Sequence, residues 1–324
     1  MAIRKAQELD LSNVHVTMLI YGRPGVGKTQ LALSASNPLL ADIEDGVGRV
    51  EACYRSDTLQ LDPSIKEEDK YEMLVNDLKE SDLSCYNTLI IDSVGKLLDL
   101  FTPIVIRENA SNAQKDGKTL SLKGYGAVKA KFNEFLKFIK GLGKDIIFIA
   151  HSTEQNDNDV IKNRILIPGS TKDSIWDDID LGGFLEFQGK ERVIHFKPTQ
   201  TYDAKGTNGI EPTYSIPTLK STKDGGMQSE NTFLSQLIKK FKVDKLNAQK
   251  EYNEKISLYN EAMKILPEIN AISSIDDLNA VLEKMKGITH SLTSKRELAD
   301  HFKNKVEELG ATYDKESGRY IKED

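Results

Sequence analysis

Residues 22–29 contain the pattern that most directly implies chemistry, because they satisfy G-x-x-x-x-G-K-[ST]. An apolar run at 14–20 precedes the pattern and a helical run at 30–36 follows it. The backbone N–H groups of such a loop and the start of its helix together bind phosphate. We predict that Lys28 reaches the β- and γ-phosphates and that the Thr29 hydroxyl ligates Mg²⁺. The predicted nucleotide-binding residues are Gly22, Arg23, Pro24, Gly25, Val26, Gly27, Lys28, Thr29 and Gln30.

Acidic residues close two apolar runs and are predicted to lie at the carboxyl edge of one sheet. The run 39–43 predicts a short buried strand followed by Glu44. Beside the strand of the phosphate loop, Glu44 would orient or deprotonate the attacking water, with Asp42 in support; a solvated acidic turn is the alternative. The run 86–92 ends in Asp92, which is predicted to hold Mg²⁺ through water, opposite Thr29.

A histidine and a lysine complete the set of candidate catalytic residues. The run 144–151 predicts another buried strand, ending in His151 beside Asp92. Its imidazole could hydrogen-bond the γ-phosphate or the catalytic water, and a structural histidine is the alternative. The runs 181–187 and 192–197 predict an antiparallel hairpin. Lys197 at its end is a candidate cation for the γ-phosphate of a neighbouring subunit, or an ordinary edge-strand lysine.

Two polar segments, 111–126 and 152–169, are predicted to be loops and are candidates for contact with a polynucleotide. Their cations could follow a phosphate backbone, and a tyrosine in the first could stack on a base. For that first segment, a solvated and mobile loop is the alternative. The residues concerned are Lys115, Lys118, Lys123 and Tyr125 in the first segment, and Lys162 and Arg164 in the second.

Composition limits the class of protein and the compartment. The net charge of −6 argues against a basic nucleic-acid coat but is compatible with a local basic groove. Cys53 and Cys85 lack a metal-type spacing, so neither a zinc site nor a disulfide framework is indicated. No apolar run approaches 18 residues, and residues 1–11 lack the apolar core of a signal peptide. We expect a cytoplasmic protein with no membrane contact.

The order of these runs predicts an α/β fold with a mostly parallel sheet, crossover helices and an antiparallel edge hairpin. The strands ending near Glu44, Asp92 and His151 would bring these groups to one edge. We predict a nucleotide-binding domain over 1–242 and a helical appendage over 243–324 that could end in a small hairpin.

Asp42 and Glu44 on the strand after the loop helix, the strand-end Asp92 and the polar His151 together resemble the RecA-like ATPase core. The segment order, with 124–126 (Gly-Tyr-Gly) before an amphipathic helix, is similar to that of phage-encoded RecA-like ATP-binding proteins. That group includes the Sak-type single-strand annealing recombinases. The resemblance covers roughly residues 12–242.

The resemblance implies a RecA-like P-loop ATPase with ATP and Mg²⁺ as ligands. It implies Glu44 as the catalytic glutamate, His151 as the sensor and Lys197 in the place of a trans-acting lysine. It also implies single-stranded DNA as a partner, self-association into an oligomer or filament, and a role in phage recombination, annealing or replication. If the chain is phage-encoded, the expected compartment is the host cytoplasm. The C-terminal helices would then be free to dock a replication or recombination protein.

Two functions of other classes stay open. The chain could be an ATP-driven accessory factor that loads or remodels a protein partner without touching DNA. It could also be a nucleotide-gated binding module with negligible turnover.

Overall fold

The computed structural model describes residues 14–157, 159–207, 209–218, 222–227 and 230–322. Within them the chain forms two compact units that divide between Asp244 and Lys245. All of the predicted site residues belong to the first unit. No helix in the described ranges is long and apolar enough to cross a bilayer.

The first unit is built on a mostly parallel β-sheet. Its strands in the described residues are β1 (Thr17–Gly22), β2 (Pro38–Asp42), β3 (Thr58–Gln60), β4 (Thr88–Asp92), β5 (Asp145–Asp157), β6 (Val160–Ile165), β7 (Leu181–Gln188), β8 (Glu191–His195) and β9 (Thr213–Ile216). Their order is β3-β2-β4-β5-β1-β7-β8-β9, and β6 pairs with β5. From β3 to β7 all neighbours are parallel, whereas β7, β8 and β9 pair antiparallel. The predicted fold class is confirmed.

Helices cover both faces of this sheet, which is why its central strands are continuous apolar runs. Alternate residues of β1 enter different cores, since side chains of a strand point to opposite faces. Leu19 packs with α2 (Glu67–Glu80), α3 (Val94–Glu108), α4 (Leu122–Gly141) and α5 (Thr171–Asp178). Met18 packs with α1 (Lys28–Ala32) and the first turns of α6 (Phe233–Met263).

Two predicted loops are partly regular structure. Helix α4 already begins at Leu122, because the Ser121 side chain caps it by accepting a hydrogen bond from the Gly124 N–H at 3.1 Å. The prediction of a loop through 126 is therefore wrong in its last five residues. The segment 152–169 also begins as a hairpin: β5 continues six residues past His151 and pairs with β6.

The position of β2 differs from the prediction. We expected it beside β1, but β4 and β5 lie between them. Glu44 therefore approaches the phosphate loop through the turn after β2, which crosses the end of β4.

The second unit is a small helical bundle with a hairpin. It contains the end of α6, then α7 (Leu266–Asn270), α8 (Ile275–Lys286), α9 (Ser294–Glu308), β10 (Ala311–Asp314) and β11 (Arg319–Lys322). Its own core includes Ile269, Leu278 and Leu298, all fully buried. The last two strands pair antiparallel.

Candidate nucleotide-binding active site

The phosphate loop connects the end of β1 to the start of α1, as its pattern predicts. Gly27 has a φ of 84°, which residues with a side chain rarely adopt. Gly22 is required for a different reason: a Cβ there would lie 2.2 Å from the carbonyl oxygen of Leu185 on β7. These two glycines allow the loop to turn tightly against the neighbouring strand.

The Lys28 ammonium is held at the base of the loop. It donates to the carbonyl oxygens of Gly22 at 3.1 Å and Arg23 at 3.0 Å, and it lies 3.4 Å from His151 Nδ1. An ammonium has only donors, so Nδ1 accepts and Nε2 carries the imidazole proton. Burial lowers the pKa of Lys28, and the carboxylates of Asp92 and Glu44 oppose that shift.

Glu44 and His151 form the next contact in the same chain of polar groups. His151 Nε2 lies 3.0 Å and 3.1 Å from the two Glu44 carboxylate oxygens. Partial burial acts to raise the pKa of Glu44, but hydrogen bonds from His151 and Ser93 and the charge of Lys28 outweigh it, and the pKa is lowered. Glu44 is therefore ionised at neutral pH and can accept a proton.

Glu44 reaches His151 because the chain turns over the end of β4 after leaving β2. The N–H groups of Ile43 and Glu44 both donate to the Asp92 carbonyl oxygen, at 2.7 Å and 3.1 Å. The buried Asp42 carboxylate accepts from the Gly46 and Val47 N–H groups, each at 2.8 Å. Asp42 thus orders the turn that positions Glu44.

Thr29 and Asp92 form a pair of oxygen groups in the same cavity as Lys28, His151 and Glu44. The Thr29 hydroxyl donates to Asp92 Oδ2 at 2.6 Å. Burial raises the pKa of Asp92 to about 6, against the Thr29 hydrogen bond, and the nearby Glu44 and Asp42 add to the rise. A hydroxyl and a carboxylate are hard oxygen ligands that fit Mg²⁺. No group of three or more His, Cys, Asp or Glu among the described residues could hold a metal by itself, whereas Mg²⁺ usually takes one or two carboxylates plus phosphate and water.

These groups line one cavity of about 640 Å³. The predicted site residues that line it are Pro24, Gly25, Gly27, Lys28, Thr29, Gln30, Glu44, Asp92 and His151. Four predicted residues do not line this cavity. Gly22 is buried at the end of β1, and its carbonyl oxygen accepts a hydrogen bond from Lys28. The Arg23 side chain pairs with Glu154 on β5, Val26 is buried in the core, and Lys197 is exposed two residues beyond β8.

The candidate polynucleotide contacts are placed unequally. Lys115 and Lys118 are exposed. Tyr125 packs against the core that contains Leu19. Lys123 Nζ donates to Ser111 Oγ at 2.8 Å. In the hairpin, both cations are ion-paired, Lys162 with Asp203 and Arg164 with Asp157.

The sequence reasoning missed several charged side chains at the site. Arg49 and Glu51 line the cavity itself, and Arg192 lies beside the loop. Arg192 on β8 donates from Nη1 to Gln30 Oε1 at 3.1 Å. No motif surrounds Arg192, and only the pairing of β7 with β1 brings the hairpin next to the loop.

The sheet order, the phosphate loop and the strand-end acids together define a P-loop nucleoside triphosphatase-type domain. The AAA domain family model matches residues 15–207, more than half of the chain, and the chain belongs to this family. A comparison with curated protein sequences found no match.

Proposed function

We propose that the protein is a Mg²⁺-dependent ATPase in which Glu44 activates water for attack on the γ-phosphate. The observation that supports this most directly is the continuous chain from Lys28 through His151 to Glu44, opposite the Thr29–Asp92 pair in one cavity. A lysine, a polar relay and an ionised carboxylate are the groups that phosphoryl transfer to water requires.

The residues have separate roles in this proposal. Glu44, held by His151, accepts the proton of the attacking water. A γ-phosphate oxygen competes with His151 Nδ1 for the Lys28 ammonium, so nucleotide binding alters the imidazole that orients Glu44. Thr29 and Asp92 would hold Mg²⁺, which when bound neutralises charge on the phosphates.

The test is steady-state ATP hydrolysis with Mg²⁺, with a chelator in place of Mg²⁺, and with Lys28→Ala as the blank. We expect turnover that requires Mg²⁺ and is lost in the variant. ATP binding without turnover in the wild type would favour the nucleotide-gated binding module.

We propose that the nucleic acid on which this ATPase acts is single-stranded DNA. An oligomer or filament of this chain would bind it in phage recombination, annealing or replication. Exposed Lys115 and Lys118 support a contact with phosphates, and the resemblance of segment order supports the class of partner. Exposure of Lys197 is compatible with a role on the γ-phosphate of a neighbouring subunit.

The measurement for this part is ATP hydrolysis with no DNA, single-stranded DNA and duplex DNA at two salt concentrations. Stimulation by single strands that fades with salt is expected, since phosphate contacts release counterions. In Lys115→Gln/Lys118→Gln the stimulation should fall while DNA-free turnover is retained.

A second candidate is an ATP-driven factor that remodels a protein partner, docked through residues 245–322. It is favoured by the ion pairs of Lys162 and Arg164, which occupy two cations that a DNA groove would need. Hydrolysis indifferent to every DNA would support this candidate and contradict the DNA proposal.

A further inference from the structure

The guanidinium of Arg192 lies against the phosphate loop with only neutral partners. Besides its bond to Gln30, its Nη2 donates to the Pro217 carbonyl oxygen at 3.3 Å. A Cβ placed on Gly27 would be 2.5 Å from Nη1, so the cation directly contacts the turn into α1. In the part of the chain that the structure describes, no carboxylate forms an ion pair with it.

A cation in this position is unfavourable unless an anion neutralises it. Arg192 is half-buried, and burial lowers the pKa of its guanidinium. An arginine nevertheless stays charged at physiological pH. Two groups that can ionise lie near Arg192. Glu230 lines the same cavity as Arg192 but, among the described residues, forms no ion pair with it. Burial raises the pKa of Tyr54 even against the charge of Arg192. Tyr54 is therefore neutral and cannot act as the counter-ion, which indicates that the missing anion belongs to a ligand.

The surroundings identify which part of a nucleotide this ligand is. Glu44 and His151 mark the γ-phosphate end of the site, and Arg192 contacts neither. It lies instead beside Gln30, one residue past the Thr29 hydroxyl. From there a second cavity of about 240 Å³ extends. Leu31, Ile216, Pro217 and Phe233 form its apolar part, and the rest of its lining, which includes Glu230, is polar. A cavity with both apolar and polar walls suits a nucleoside, because the faces of the base are apolar and the ribose carries hydroxyl groups.

We propose that Arg192 binds the α-phosphate of the nucleotide held by the same chain and directs its nucleoside toward the second cavity. The proposal rests on the ATPase function proposed above. It makes Arg192 a binding and positioning residue supplied in cis, distinct from the trans role predicted for Lys197.

The experiment measures affinity for ATP, ADP, AMP and adenosine by competition with a fluorescent ADP analogue on the full chain. The variants are Arg192→Gln, Arg192→Lys and a control, Lys190→Gln, which removes an exposed cation from the turn of the same hairpin. We expect Arg192→Gln to weaken ATP, ADP and AMP each by roughly 10- to 100-fold and to leave adenosine unchanged. Arg192→Lys should lose less, and Lys190→Gln should match the wild type.

The melting temperature without nucleotide separates binding from a structural role. We expect Arg192→Gln to leave it unchanged or to raise it, because the substitution removes a cation that has no ion pair in the described structure. We also expect the variant to show a smaller stabilisation by ATP. An equal loss of affinity for adenosine, or a loss confined to ATP with AMP unaffected, would overturn the assignment.

The proposed ATPase function fails in a different way. If neither the wild type nor Lys28→Ala binds ATP, the nucleotide function and this proposal both fall. If the wild type binds ATP through Lys28 and Arg192→Gln binds it equally well, only the role of Arg192 is wrong.

Discussion

At the scale of single residues, the site depends on one shared imidazole. Lys28 uses its third donor on His151 Nδ1, and the same ring donates from Nε2 to Glu44. His151 therefore orients the Glu44 carboxylate and helps to keep it ionised, and it contacts Lys28 at the same time. Losing the carboxylate charge should stop chemistry without emptying the site.

Glu44→Gln tests this directly. The amide cannot accept the proton of water, so we expect turnover to fall by about 10²- to 10⁴-fold while ATP affinity stays within a few-fold of the wild type. Glu51→Gln is the matched control, since Glu51 lines the same cavity and is exposed. Activity retained in Glu44→Gln, measured by phosphate release, would remove Glu44 as the base.

The ionised Asp92 carboxylate, which would hold Mg²⁺, should make the fold less stable, so we expect the free energy of unfolding to depend on pH. Its pKa in the fold is about 6, above the usual 3.8, so its contribution to stability is complete below pH 4 and is lost as the pH rises through 6. Asp92→Asn keeps an acceptor for Thr29 and removes the charge. In nucleotide-free, chelator-treated protein it should raise the free energy of unfolding by on the order of 3 kcal/mol at pH 8 and about half that at pH 5.

Denaturant unfolding at the two pH values measures this effect. Asp99→Asn, on the exposed side of α3, provides the control and should change neither value by more than about 0.5 kcal/mol. A lower free energy of unfolding for Asp92→Asn at pH 8 would show that burial of the ionised carboxylate does not destabilise the fold.

At the scale of elements, the start of α4 shows two glycines with opposite roles. A Cβ on Gly124 would lie 2.1 Å from the Asn112 carbonyl oxygen, whereas a Cβ on Gly126 would meet nothing within 4 Å. The first glycine lets the preceding segment pack on the helix. The second only lowers helix propensity.

The pair Gly124→Ala and Gly126→Ala is therefore its own control. We expect Gly126→Ala to stabilise the protein by roughly 0.5–1 kcal/mol and Gly124→Ala to destabilise it by about 1–3 kcal/mol. Thermal unfolding measures both. Equal effects of the two substitutions would contradict the close packing of 112 against 124.

At the scale of the whole molecule, each compact unit has a core of its own. The cores that flank the sheet are built from residues 16–241, and the third from residues 262–320. The residues that line the nucleotide cavity lie between 24 and 166, and those that line the second cavity lie between 30 and 236. Damage to the third core should therefore leave nucleotide binding intact.

Leu278→Ala removes a fully buried side chain from that third core. We expect the free energy of unfolding of 245–322 to fall by about 2–5 kcal/mol, read as faster hydrogen exchange in α8 and α9, with ATP affinity unchanged. Leu258→Ala, at a side chain that is 44% exposed, should change exchange little. A parallel loss of ATP affinity would mean that the two units do not act separately.

The sequence by itself determined the phosphate loop, the strand-end Asp92 and the fold class. It also placed His151 on a buried strand, although that strand continues six residues beyond the predicted end. These features follow from local rules: glycines at positions with special backbone geometry, continuous apolar runs for strands buried on both faces, and 3.6-residue periodicity for covering helices. Each rule acts within one segment, so a single chain is enough to apply it.

Only the tertiary structure decided which segments become neighbours. The sheet order separates β2 from β1, and Glu44 approaches Lys28 because the chain turns over β4. The same long-range packing covers Tyr125, pairs Lys162 and Arg164 with carboxylates and brings Arg192 to the phosphate loop. Strand order and contacts between residues far apart in the sequence depend on the total burial of many residues, and no local pattern predicts them.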